Sequence, residues 1–267
     1  MDVSAKNLTL DLLMAAGPQP LPVRHLLAAG VLFAIPTNNL RVSLARLSTE
    51  GLVESVERGS YRLSALAKAL ADDVATWRTA PQRVKPWHGE HLTVHCGALG
   101  RSDRAALRHR DRALLMLGFR ELERGLHVRP DNLQGGVAHV RQRLTTLGLE
   151  PQATVFVSAQ FDEKHEAQIR SLWNGAALNE AYVRLQKQLT DWSEHASNLP
   201  IEEAARESYL LGRKAIREVV FDPWLPTPLV DVGLRQSFFD AVQKFDHLGH
   251  DIWRRFHASS DATEVLT

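Results

Sequence analysis

The stretch from Pro36 to Ser64, PTNNLRVSLARLSTEGLVESVERGSYRLS, constrains the fold more than any other part of the chain. Leu40, Leu44 and Leu47 recur at spacings of four and three, the stripe of an amphipathic helix. Thr37 or Asn38 is placed to cap the start of that helix, and Gly51 to close it in the left-handed conformation that glycine adopts without steric cost. The polar side carries Asn38, Asn39, Arg41, Ser43 and Arg46, residue types that bond phosphates or base edges. Leu52 to Val56 and Tyr61 to Leu63 are β-prone runs joined by Glu57-Arg58-Gly59-Ser60, a glycine-bearing turn. Arg58 and Arg62 stand at or beside its tip, placed for a backbone or minor-groove contact. Upstream, Leu10, Leu13 and Met14 mark one helix; Pro20 or Pro22 opens another with Val23, Leu26 and Leu27 on its apolar side. Three helices and a hairpin in this order predict a winged helix-turn-helix whose last helix enters a major groove. Any small helical domain with a hairpin shares part of the pattern; the order and the basic turn separate the two readings.

The rest of the chain bounds the problem. With 267 residues, 44% hydrophobic and 24% charged, it has the composition of a globular protein with a proper core. It contains no apolar run long enough to span a membrane. Met1-Asp2-Val3-Ser4 lacks the start of a signal peptide, and the single cysteine, Cys96, cannot make an intrachain disulfide; both point to the cytoplasm. Charge is uneven. Residues 1–80 hold 8 Lys/Arg against 7 Asp/Glu, residues 81–161 hold 12 against 7, and residues 162–267 hold 12 against 17. A weakly basic reading region is expected to rely on dimerisation for DNA affinity more than on bulk charge.

Leu66, Leu70 and Val74 continue a helix after the hairpin, and Thr79-Ala80-Pro81-Gln82 marks a boundary. The next segment reads strand (His91 to Cys96), helix (Asp103 to Leu117, capped by Ser102), hairpin (Phe119 to Leu122 and Leu126 to Val128), helix (Val137 to Leu147) and strand (Ala153 to Ala159). That β-α-β-β-α-β order is the ferredoxin-like arrangement, with one sheet face free to make a dimer. From Glu163 the pattern is helical, interrupted by the proline crossing Pro223-Trp224-Leu225-Pro226-Thr227-Pro228. The expected class is therefore α+β and multidomain. A winged helix-turn-helix domain spans 1–80, a ferredoxin-like dimerisation domain 81–161, and an all-helical C-terminal domain 162–267.

Several strings, in this order, resemble the PaaX family of bacterial transcriptional regulators: RVSLARLSTEGLVESVERGSYRLS at the hairpin, GFRELERGLHVRPDNL (Gly118 to Leu133), and FDPWLP (Phe221 to Pro226). The resemblance covers nearly the whole chain and rests on order and spacing rather than on one string. It implies a dimeric repressor of a catabolic operon, bound to a palindromic double-stranded operator and released by an aryl- or acyl-CoA effector. It also implies a central domain similar to a CRISPR-adaptation nuclease. Where family members often carry a Trp-Pro-Gly-like string, this chain reads Val230-Asp231-Val232-Gly233, which leaves the effector's identity open.

Other conspicuous residues admit plainer readings. His88, His91, His95 and Cys96 cluster in sequence, but no paired CxxC or HExxH accompanies them, so no metal is expected. His247, His250 and Asp251 share one face of the last helix and read as a solvated polar face. An enzyme, or a scaffold using the helix-turn-helix for protein contacts, is the rival class. Yet the first central strand ends His95-Cys96-Gly97 with no carboxylate for magnesium, and no GxSxG, P-loop or dinucleotide fingerprint occurs. No catalytic residue and no cofactor are expected. Arg104, Arg108, Arg110, Arg112, Arg120, Arg124 and Arg129 crowd the middle segment. Arg129, at a domain edge, is the candidate phosphate fork for the effector, and Trp224 the candidate aromatic wall of its pocket.

Overall fold

A computed structural model describes residues 3–57, 59–65, 67–68 and 76–265. In chain order the first elements are α1 (Ala5–Ala16), β1 (Leu21–Pro22), α2 (Val23–Leu32), α3 (Thr37–Thr49), β2 (Val53–Glu57) and β3 (Ser60–Leu63). A 3-10 helix, Thr76–Arg83, leads to β4 (His91–His95), α4 (Arg104–Met116), β5 (Arg120–Glu123), β6 (Leu126–Pro130), α5 (Gly136–Thr146) and β7 (Thr154–Ser158). Four helices follow: α6 (Glu163–Ser171), α7 (Gly175–His195), α8 (Ile201–Val220) and α9 (Val232–Val265). The class is α+β with two antiparallel sheets. The helix expected from Leu66, Leu70 and Val74 lies outside the described residues.

The chain divides into two compact units. One comprises Met1–Arg78, Leu189–Lys214 and Gln243–Thr267; the other comprises Thr79–Gln188 and Ala215–Val242. Residues 162–267, expected to stand as a helical domain, contribute to both.

In the first unit the leucine stripe does what its spacing requires. Leu40, Leu44 and Leu47 are buried with Leu8, Leu12, Leu13, Leu26 and Val53 in one core. Gly30 makes the approach of α2 to α3 possible: a β-carbon there would lie 2.3 Å from Leu40 Cδ1. At the other end of α3, Gly51 has φ +70°. Its N–H donates to the Ser48 carbonyl at 3.0 Å and the Leu52 N–H to the Leu47 carbonyl at 2.9 Å. This is a Schellman closure, with Leu52 packed on the core beyond it. The hairpin β2–β3 gains a third strand, β1, giving the order β1-β3-β2. Tyr209 of α8 and Trp253 of α9 pack against the same core. The Tyr209 hydroxyl donates to Asp11 Oδ2 at 2.7 Å, and Arg24 Nε to Asp261 Oδ1 at 2.7 Å.

The second unit holds a four-stranded sheet in the order β5-β6-β4-β7. Leu92, Val94 and Val155 meet Leu114 of α4 and Val140 and Leu144 of α5. Leu122 and Val128 meet Ile169 of α6, Trp173, Leu225 and Val230. Both faces are therefore covered within the unit, and the free face expected for dimerisation is occupied by α6 and the proline crossing. Asp103 rather than Ser102 caps α4, its carboxylate accepting from the Ala105 and Ala106 N–H groups at 2.8 and 3.1 Å. Arg110 takes a buried place on that helix, held by Glu150 and by the Gly100 carbonyl, whereas Leu115 is exposed.

Candidate nucleic-acid interface and ligand cleft

Five of the seven residues expected to touch DNA lie on α3, and the structure sorts them. Asn38, Asn39, Arg41 and Arg46 are exposed. Ser43 is not: it is buried, three residues after Leu40 and therefore on the apolar stripe, and its hydroxyl finds no partner among the described residues. The helix begins at Thr37 after Pro36, with no side-chain cap, so neither Thr37 nor Asn38 plays the capping role expected of it. The exposed face includes a residue that polarity alone misses. Val42, 42% exposed, sits one turn from Asn38 and beside Arg41, a shape suited to a thymine methyl group. Its signal in the sequence is position: Asn38, Arg41, Val42 and Ala45 follow the i, i+3, i+4, i+7 rule on the side away from the leucines.

The hairpin residues differ in status. Arg62 is opposite Glu54 across the β2–β3 ladder and donates through Nε to Glu54 Oε1 at 2.6 Å. It is a cross-strand ion pair on the stem first and a DNA contact only by exchange of partners. Arg58 lies outside the described residues.

The two residues expected at an effector site part company. Arg129 is fully buried, and its guanidinium is spent on the protein itself. It donates to the Leu117 carbonyl, to the Pro130 carbonyl at 3.1 Å, to Asn132 Oδ1 at 2.8 Å and to the Pro223 carbonyl at 3.3 Å. Burial pushes its pKa down to about 9, so it remains a cation at neutral pH. It ties β6 to the proline crossing and presents no donor to a ligand. Trp224 does line a cavity, an open cleft of about 700 Å³ with Lys85, Trp87, Asn132, Arg235 and Gln236 among its walls. Trp224 is held at φ +51°, its N–H donating to Asp222 Oδ1 at 2.6 Å and its carbonyl accepting from Asn132 Nδ2 at 2.7 Å. Arg235 lies 5.0 Å from the Trp224 ring centre and donates to the Leu225 carbonyl. Asp222 is buried, accepts from the Tyr182 hydroxyl at 2.5 Å, and has its pKa raised by burial. The cleft thus joins an aromatic wall to cations from two segments, Lys85 and Arg235. Lys85 is also paired with Asp131 at 3.2 Å.

His91 is buried between the edges of Trp87 and Phe161, and burial lowers its pKa. Among the described residues no group of three or more His, Cys, Asp or Glu is placed to hold a metal ion, and no helix is long and apolar enough to cross a membrane.

Residues 173–255 match the family model described as PaaX-like protein C-terminal domain. Over these residues the chain is similar to PaaX-like proteins, which bears out the PaaX resemblance; of the strings that carried it, FDPWLP lies within the matched span. PaaX-like proteins are in general transcriptional regulators. Among solved structures the chain is similar to the uncharacterized protein Rv0674 from Mycobacterium tuberculosis. The two share 21% identity and a TM-score of 0.62, over 94% of this chain and 99% of that one, a likeness of fold. No curated protein matches.

Proposed function

We propose that this chain is a dimeric, cytoplasmic transcriptional regulator that reads a palindromic operator through α3 and represses a catabolic operon. The observation that carries the reading is the outer face of α3. Asn38, Asn39, Arg41 and Arg46 stand exposed on a helix whose other side is locked into a leucine core, directly before a hairpin. Residues 1–80 are read as a winged helix-turn-helix. Residues 81–161 are read as a ferredoxin-like domain, supported by the βαββαβ order and the β5-β6-β4-β7 sheet, with a helical C-terminal region, 162–267, after it. The polar groups on α3 are those that bond guanine and adenine edges, and α3 is short enough to lie in one major groove.

The effector reading moves to the Trp224 cleft, with Lys85 and Arg235 replacing Arg129 as the cations. A volume of about 700 Å³ suits a metabolite-sized ligand with an apolar and an anionic part, such as an aryl- or acyl-CoA thioester. Such a ligand releases DNA only if it binds the non-reading arrangement more tightly.

A gel shift on the DNA upstream of this gene, repeated at rising salt, tests the first half. A retarded band that weakens steeply with salt and is lost in Arg41→Ala supports it; no band at low salt overturns it. Thermal-shift screening of acyl-CoA thioesters tests the second half. Stabilisation that vanishes in Trp224→Ala is expected, and none with any thioester removes that assignment.

A further inference from the structure

The sheet of the second unit has two edges, and they differ in kind. The β5 edge is guarded. Arg120, Glu121 and Glu123 put charges on it, its register shifts between Glu121 and Glu123, and the Glu121 carboxylate accepts from the Gly125 N–H at 2.8 Å. Charges and bulges are the usual means by which an edge strand is kept from pairing. The β7 strand has neither among its own residues. Residues 152–160 read Gln-Ala-Thr-Val-Phe-Val-Ser-Ala-Gln, with no charge, no proline and no glycine. Phe156 and Val157, on opposite faces of the strand, are 39% and 42% exposed.

That nonapeptide also reads the same in both directions, apart from Thr154 against Ser158. We propose that β7 pairs with the β7 of a second copy, antiparallel, about a two-fold axis through Phe156. In that register Phe156 faces its twin, Val155 faces Val157, Thr154 faces Ser158, Ala153 faces Ala159 and Gln152 faces Gln160. Apolar side chains meet apolar ones, hydroxyls meet hydroxyls and amides meet amides, so the patch is complementary to itself, as an isologous interface must be. A one-residue slip would turn each side chain to the wrong face, so the register is specified. Farther out, the same symmetry sets Glu150 against Asp162, but Arg110 and His165 already hold these two carboxylates. The Val155 carbonyl accepts from Arg141 Nη2 at 2.7 Å, and a carbonyl's second lone pair leaves it able to accept across the ladder as well. The sheet faces being covered, this edge is the route by which the unit joins a partner, and two four-stranded sheets become one of eight strands.

This deepens the dimer in the proposed function, but its test needs no DNA. One edge pair buries less than the roughly 1,200 Å² of a standard stable interface, so a reversible, concentration-dependent dimer is expected. Sedimentation of the full chain from 1 to 100 µM (about two decades, bracketing a micromolar constant) reads it. Val157→Lys, at an exposed position that tolerates the change, should raise the dissociation constant at least about tenfold by setting an ammonium into an unguarded edge. Phe156→Cys should cross-link to its twin on mild oxidation. Directly opposed Cα atoms lie about 4.5–5.5 Å apart, within disulfide reach. Native Cys96 is buried, which keeps its own cross-linking low, and Leu115→Cys on α4 serves as the exposed control that should stay uncrosslinked. A dimer that survives Val157→Lys and fails to cross-link through position 156 overturns the β7 assignment while leaving the regulator dimeric. A wild-type monomer at the highest concentration overturns both the edge and the dimer, with DNA reading judged separately by gel shift.

Discussion

Replacing Arg129 by methionine removes a buried cation and leaves its surroundings almost the same shape, so the result can be worked out before it is measured. Four acceptors lose their donor: the carbonyls of Leu117, Pro130 and Pro223, and Asn132 Oδ1. Hydrogen bonds from a charged group contribute about 1.5–3 kcal/mol each, about 6–12 kcal/mol in all. That sum is an upper bound, because the four bonds share one guanidinium whose burial disfavours the charge and lowers its pKa. The expected loss is the roughly 3–5 kcal/mol typical when one member of a buried charged network is removed. In urea, at about 2–3 kcal/mol per molar, the midpoint should fall by more than about 1 M. Arg129→Lys should rescue little, because one ammonium cannot span acceptors on three segments. A loss below about 1 kcal/mol, or intact stability with a lost ligand response, would refute this account and return Arg129 to a ligand role.

Other outcomes follow from the same structure. Arg41→Ala should cost about 1–3 kcal/mol of operator affinity per half-site if the guanidinium reads a base, with the thermal midpoint unchanged; fluorescence anisotropy on short duplexes reads it. Leu40→Ala, at a fully buried position against Gly30, should destabilise the first unit by about 2–5 kcal/mol and leave the Trp224 cleft able to bind whatever the wild type binds. His257 is stacked on His25 at 4.3 Å, and burial lowers its pKa to about 4. Between about 6.5 and 4 the unfolded chain therefore binds more protons than the folded one, so stability is present above that window and falls as pH drops through it. Urea midpoints at stepped pH should show this slope, and His257→Phe should flatten it. Asp261, held at about 2 by Arg24 and His25, adds its own loss only below its unfolded value near 3.8.

What was legible in the sequence is what depends on near neighbours. The stripe of Leu40, Leu44 and Leu47, the Gly51 closure and the βαββαβ order all arise from local periodicity and turn chemistry. Ser43 was misread because a small hydroxyl is polar on paper yet fits an apolar stripe at the right spacing. The role of Arg129, like the burial of Arg110, escapes the sequence for a different reason. An arginine's fate is set by partners far along the chain: Pro223 lies 94 residues from Arg129, and Glu150 lies 40 from Arg110. The cleft is equally non-local, since Lys85 and Trp87 meet Trp224 and Arg235 only after folding. The family strings carried Trp224 to its place, but could not say which cation stands beside it.

The first unit is assembled from three separated stretches, and this governs how the protein is made. Asp11 needs Tyr209, and Arg24 and His25 need Asp261. Between Arg78 and Gln243 the ribosome adds about 165 residues, about 8–33 s of synthesis at roughly 5–20 residues per second. During that interval the nascent amino-terminal module lacks first Tyr209, the ring that packs on Phe33, and then Trp253, both of which pack against its core. Cutting the chain after residue 80 would make that condition permanent. Until the last helix leaves the exit tunnel, Arg24 and His25 lack Asp261, and the unit stays short of one of its fastenings.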